Sequence, residues 1–116
     1  MDHNINEPQK ICDLTYLKEM MFGNKEMVDE IISDFTEQSA VEIKIIQDAI
    51  SNEDFSAIKQ CAHKMKSTVG IMGISSLIPI LKEMEILGAE AKNIARIKTL
   101  ADKANDICML AILELK

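Results

Sequence analysis

His63 lies in the sequence "CAHKMKSTVGIMG" (61–73), close to three lysines. Lys59 precedes it by one helical turn, Lys64 follows directly, and Lys66 is three positions on. A neutral imidazole nitrogen is a good nucleophile near pH 7, and histidine is an established carrier of covalent intermediates. Ammonium groups beside it would stabilise the spread negative charge of a phosphoryl group. These residue types at this spacing therefore suit the acceptance of a phosphoryl group on the imidazole.

This stretch is a basic island in an acidic chain. Between Phe55 and Lys82 lie four of the 13 basic residues and none of the 19 acidic ones, although the net charge of the whole chain is −6. An acidic chain is disfavoured as a ligand for nucleic acid or for an anionic membrane. The charge balance therefore points to a different kind of partner.

Helix geometry predicts that His63 faces solvent. The apolar residues around it recur in steps of three and four, at positions 55, 58, 62, 65, 69 and 72. With about 100° per residue, His63 lies about 140° from the centre of this apolar stripe. The small residues Ser67 and Gly70 share its side of the helix, so another protein could approach closely.

The sequence offers few other catalytic groups. We find no second base near the imidazole, no glycine-rich phosphate loop and no aspartate cluster for Mg²⁺. The metal ion and most of the catalytic groups would therefore have to come from a partner.

The rest of the chain predicts an all-α domain that holds this helix. Hydrophobic residues make up 47% of the chain but aromatic residues only 3%, which favours helices packed through aliphatic side chains. We take 1–12 as a loose N-terminal tail and 13–116 as one domain. Apolar periodicity predicts a short helix over 13–23 and one long helix or two in series over 25–51. It also predicts a helix from Phe55 that Gly70 and Gly73 bring to an end, and further helices over 75–88 and 90–115. Such elements suit an antiparallel up-and-down four-helix bundle with an extra short N-terminal helix.

Cysteine usage and hydropathy indicate a cytoplasmic protein. The three cysteines form no C-x-x-C pair, which argues against a disulfide framework and a zinc site. The N-terminus resembles no signal peptide, and the longest apolar run, 108–113, is too short to span a bilayer. We therefore expect no bound metal and no membrane segment.

The segment "AHKMKSTVGIMG" (62–73) resembles the signature of histidine-containing phosphotransfer (HPt) domains of two-component phosphorelays. The resemblance implies that His63 is the phosphoacceptor and that Lys66 and Ser67 stabilise the phosphoryl group. Family members usually carry glycine where this chain has Ser67. The surrounding residues of the implied docking surface are Lys59, Lys64, Gly70 and Met72, although Lys59 and Lys64 fit a plain solvated face equally well.

The resemblance also implies a monomeric phosphocarrier rather than an enzyme. Its partners would be response-regulator receiver domains, or a hybrid sensor histidine kinase, with Mg²⁺ bound by the receiver. Three alternatives remain open. The dimerisation part of a histidine kinase would have a glutamate after the histidine and a nearby proline, where this chain has Lys64 and no proline before Pro79. A metal-binding bundle would use Glu-x-x-His pairs, where Gln60 stands instead. The third is a helical adaptor without chemistry.

Overall fold

The chain folds into five helices and no strand within residues 10–116, the part that the computed structural model describes. One helix is short and four are long, which confirms the predicted all-α class. The helices are α1 (Thr15–Met20), α2 (Lys25–Ser51), α3 (Phe55–Ile71), α4 (Leu77–Glu90) and α5 (Ile94–Leu115).

Helix α2 is one continuous helix, which settles the question that the sequence left open. Its N-terminus is capped by Asn24, whose side chain accepts a hydrogen bond from the Met27 amide at 3.1 Å. Such a cap satisfies one of the amide groups that the first turn leaves without a partner. Helix α1 is shorter than predicted, because Asp13 lies outside it and accepts a hydrogen bond from the Thr15 amide.

Helix α3 carries the residues that could do chemistry. Asp54 caps its N-terminus by accepting a hydrogen bond from the Ala57 amide at 3.1 Å. After Ile71 the chain turns at Gly73, whose φ of +66° is a conformation that glycine adopts readily. Ile58, Ala62, Met65 and Val69 of the predicted apolar stripe are buried, together with Cys61 beside it.

Gly88 does not end α4, contrary to the sequence prediction. The helix continues to Glu90 and stops at Ala91, which adopts a left-handed conformation. Gly88 is buried against α3, where an added Cβ would lie 3.0 Å from the Lys59 nitrogen and 3.1 Å from the Phe55 oxygen. The glycine is therefore required for close helix packing rather than for termination.

The boundary of the predicted loose tail needs a similar correction. Residues 1–9 lie outside the described part of the chain, but Cys12 is buried and the amides of Ile11 and Cys12 donate hydrogen bonds to the Glu114 carboxylate, at 2.6 and 2.8 Å. These two residues are fixed to the end of α5 and belong to the folded domain.

The four long helices pack in a ring, with contacts between α2 and α3, α3 and α4, α4 and α5, and α5 and α2. Aliphatic and methionine side chains fill the centre, with Leu17 of α1 also fully buried. All three cysteines are free and buried, and burial raises the pKa of Cys61 and of Cys108 to about 11. Among the helices of residues 10–116, none combines the length and the hydropathy that spanning a bilayer requires.

Candidate functional site

His63 projects from the outer side of α3, as helix geometry predicted. Its side chain is 69% exposed, whereas its neighbour Ala62 has no exposed surface. The apolar stripe of α3 points into the bundle and holds the helix in place. The imidazole therefore stands on a rigid support and remains open to a large partner.

Glu85 on α4 is the principal partner of the imidazole, and the sequence analysis missed it. One oxygen of its carboxylate, Oε2, lies 2.6 Å from His63 Nδ1, and the other, Oε1, lies 2.6 Å from Lys66 Nζ. The Glu85 side chain is only 19% exposed. The expectation that no second base lies near the imidazole is therefore wrong.

Lys66 and His63 keep the carboxylate of Glu85 ionised. The hydrogen bond from Lys66 is the largest cause that lowers the pKa of Glu85 and outweighs desolvation, which raises it; the hydrogen bond with His63 lowers the pKa further. An ionised carboxylate can only accept hydrogen bonds, so Nδ1 of His63 carries the proton and donates it. In the neutral ring, Nε2 then holds the free lone pair.

Lys66 lies beside the imidazole but is already engaged. Its side chain is 28% exposed, and its ammonium group pairs with Glu85 rather than pointing into solvent. Ser67 and Gly70 are exposed on the same helix, as predicted. The structure thus brings His63, Lys66 and Glu85 into one hydrogen-bonded network with small residues next to it.

The lysines of the basic island do not all surround His63. Lys59 is exposed one turn before it, whereas Lys64 turns towards α2, where its Nζ lies 3.8 Å from Oε2 of Glu42. Glu42 is only 4% exposed, and burial raises the pKa of its carboxyl despite the charge of Lys64. Lys64 is therefore the counter-ion of a buried acid as well as a candidate docking residue.

The prediction of Met72 as a docking residue requires correction. Met72 has no exposed surface and lies beneath the groove between α2 and α3. As the last member of the apolar stripe, its side chain is part of the core. The predicted docking set is thereby reduced to Lys59, Lys64 and Gly70.

Sequence spacing alone could not assign Glu85 to the site. "LKEMEILG" (81–88) contains Glu83 and Glu85, and both flank the apolar stripe of α4. Glu83 turns towards α5, where its carboxylate accepts hydrogen bonds from Arg96 at 2.7 and 3.0 Å. Only the register between α3 and α4 decides which of the two acids meets His63.

The alternative of a metal-binding bundle gains no support from the geometry around Gln60. Its amide nitrogen donates a hydrogen bond to Ser56 Oγ at 3.3 Å on the same helix. Among residues 10–116, no group of three or more histidine, cysteine, aspartate or glutamate side chains is placed to hold a metal ion.

Comparison with known protein families identifies one match. A family model described as the Hpt domain matches residues 30–110, which is more than half of the chain and includes His63, Lys66 and Glu85. The comparisons with curated proteins and with solved structures gave no significant match.

Proposed function

The chain belongs to the Hpt domain family, and from this premise we propose that it is a phosphorelay carrier that holds the phosphoryl group on Nε2 of His63. Membership of the family implies histidine phosphotransfer in a phosphorelay. The observation that supports His63 as the acceptor is its hydrogen bond from Nδ1 to Glu85, together with its 69% exposure. The residue thus has a free Nε2 lone pair on a side chain that a partner can reach.

The partner in this proposal is the receiver domain of a response regulator that carries an aspartyl phosphate. Nε2 of His63 attacks phosphorus, the N–P bond forms, and the bond from phosphorus to the aspartate oxygen breaks. The aspartate leaves as a carboxylate, and the proton of the imidazole stays on Nδ1. The reverse sequence of bond changes returns the phosphoryl group to an aspartate.

Each neighbouring residue has a proposed role in this exchange. Lys66 stabilises the equatorial oxygens of the phosphoryl group by its charge, and the hydroxyl of Ser67 donates a hydrogen bond to one of them. Lys59, Lys64 and Gly70 contribute to the surface on which the receiver docks. The receiver supplies Mg²⁺ and the remaining catalytic groups, so the chain acts as a carrier and has no turnover of its own.

The alternative of a histidine-kinase dimerisation part is less well supported. Four long helices already pack in a ring within this one chain. No second copy is therefore needed to close the bundle.

Phosphotransfer from a radiolabelled receiver tests the proposal. The purified protein is incubated with the phosphorylated receiver and Mg²⁺, and the label is tested for stability in acid and in alkali. We expect an acid-labile, alkali-stable label in the wild type and in the control Thr99→Ala, whose exposed hydroxyl on α5 only bonds the Ala95 carbonyl. We expect no label in His63→Gln. A label that persists in His63→Gln, with the helical circular dichroism unchanged, would refute His63 as the acceptor.

A further inference from the structure

We propose that the groove between α2 and α3 binds a short aliphatic diamine, whose two ammonium groups pair with Glu42 and Asp34. This inference goes beyond the proposed function and does not depend on it. The groove lies on the α2 side of α3, whereas Glu85 meets the imidazole of His63 on the α4 side.

The carboxylate of Glu42 is nearly buried and yet short of hydrogen-bond donors. Glu42 is only 4% exposed, and a buried charge is costly unless hydrogen bonds or a close ion pair compensate for the lost water. Within residues 10–116 it forms one ion pair, with Lys64 Nζ at 3.8 Å, which is too long for a hydrogen bond. Because this carboxylate lines the groove, an ammonium group that enters there would supply the hydrogen bond that it lacks.

Asp34 gives the same groove a second carboxylate, at a spacing that selects the ligand. It lies on α2 eight positions before Glu42 and also lines the groove. Eight residues of helix separate the two backbones by about 12 Å. A hydrogen bond takes up about 3 Å at each end, which leaves about 6 Å between the two nitrogens of the ligand. A diamine with a four-carbon chain, such as putrescine, has this length when extended.

The lining of the groove suits the methylene chain of such a ligand. Ile31, Phe35 and Ile71 give it apolar surface, which a hydrocarbon chain can cover. Gln38 and Thr68 add side-chain oxygens that can accept hydrogen bonds from an ammonium group. The volume of the groove is about 360 Å³, which leaves ample room for one diamine.

The charges along the groove favour a cation, although Lys64 opposes one. The two carboxylates of Asp34 and Glu42 outnumber the single ammonium group of Lys64. Lys64 would compete with the ligand for Glu42, but its side chain is 72% exposed, so its ammonium group can turn into solvent. Removal of the Lys64 charge should therefore strengthen binding of the diamine.

NMR titration with putrescine at constant ionic strength tests the proposal, with binding read from the amide signals of Phe35, Thr68 and Ile71. We expect saturable binding in the wild type and in the control Glu37→Gln, at an exposed position of α2 outside the groove. Glu42→Gln should raise the dissociation constant at least about tenfold, as the loss of a hydrogen bond to a charged group implies. An affinity unaltered by Glu42→Gln, or no saturation in the wild type, would overturn the proposal.

Butylamine, which carries one ammonium group, tests the contact with Asp34. It should bind the wild type about fivefold more weakly than putrescine, a modest factor because Asp34 is exposed. Asp34→Asn should remove most of this difference by weakening putrescine alone. Equal affinities of the two amines for the wild type would refute the diamine as the ligand.

A pair of lysine variants separates a specific site from general attraction to an acidic protein. Lys64→Met should tighten the binding of putrescine more than Lys44→Met, which removes the same charge from an exposed ion pair elsewhere on α2. Equal effects of the two variants would mean that the ligand has no specific contact at Glu42, and the proposal would fail. Phosphorylation of His63 is decided separately by the radiolabel experiment, so either proposal can fail without the other.

Discussion

The amide of Asp13 donates a hydrogen bond to the carbonyl oxygen of Gly73 at 3.1 Å, which ties the segment before α1 to the turn after α3. Gly73 has a φ of +66°, and a Cβ added there would overlap the backbone of Asp13. The end of the histidine-bearing helix is therefore fixed by a contact that only glycine permits.

Gly73→Ala is expected to destabilise the fold. The substitution places a side chain in the left-handed region and pushes the backbone of Asp13 away from that of residue 73. The free energy of unfolding should therefore fall by about 2 kcal/mol or more. Urea unfolding followed by circular dichroism measures the change. Gly70→Ala is the matched control, because Gly70 lies within α3 with nothing within 4 Å of an added Cβ. That variant should be unchanged or more stable by up to about 1 kcal/mol, and equal destabilisation of both would contradict the explanation.

Lys64 is expected to matter for stability through Glu42. Lys64→Met leaves the buried carboxylate without its cation and should lower the free energy of unfolding by about 1 kcal/mol, a modest value because Lys64 is largely exposed. Glu42→Gln should abolish this effect, which a double-mutant cycle by urea unfolding detects. A loss that is the same in both backgrounds would show that the pair does not couple.

Because Glu42 is buried beside Lys64, we expect the stability of the fold to depend on pH. The pKa of Glu42 is raised by burial, so between its unfolded and its folded pKa the native state binds more protons than the unfolded state. Stability contributed by this group therefore falls as pH rises through that interval. Glu42→Gln removes the ionisable group. Its free energy of unfolding relative to that of the wild type should therefore be higher at pH 7 than near pH 4, with unfolding measured at both pH values.

Glu114→Gln should show the opposite pH dependence. The pKa of Glu114 is lowered, first by the hydrogen bond from the Ile11 amide and then by that from Cys12. Its contribution is thus present above the unfolded pKa and is lost as pH falls through the folded pKa. We expect a loss of roughly 0.5 kcal/mol at pH 7, because the contact is near the surface, and no difference below about pH 3. Glu37→Gln, at an exposed position on α2, is the control and should show no change at either pH.

Lys66→Gln should slow phosphotransfer without changing its site. The variant loses the ammonium group that anchors Glu85 and stabilises the transferred group, so we expect a rate about tenfold to a hundredfold lower. Rapid-quench measurement of label transfer from a phosphorylated receiver gives the rate. Lys59→Gln, one turn from His63, should retain a rate within about threefold of the wild type at high receiver concentration, since docking contacts act mainly on binding. Equal losses in both variants would argue for a general effect of charge.

The sequence predicted correctly those features that depend on the geometry of a single helix. The outward position of His63 and the inward positions of Ile58 and Met65 follow from the period of a single helix, and the structure confirms them. The apolar stripe also placed Met72 on the inward face, which the structure confirms. Only the docking role assigned to Met72 was wrong, because its side chain has no exposed surface.

The features that the sequence could not supply all depend on two helices at once. Glu85 meets His63 only because α3 and α4 pack in one particular register. Gly88 was interpreted as a helix end because the sequence does not show the backbone of Lys59 opposite it. The attachment of Ile11 and Cys12 to Glu114 joins residues about a hundred positions apart, which no local pattern indicates.

The close approach at Gly88 has a consequence for how such a domain could be tuned. Gly88 lies against Lys59, and one turn away along the same pair of helices Glu85 lies against His63. Residue 88 thus acts as a spacer between α3 and α4, because a Cβ there would lie 3.0 Å from the backbone nitrogen of Lys59. A methyl group added at this position would push the two helices apart by a few tenths of an ångström, so we expect Gly88→Ala to lengthen the contact between Glu85 and His63 one turn away.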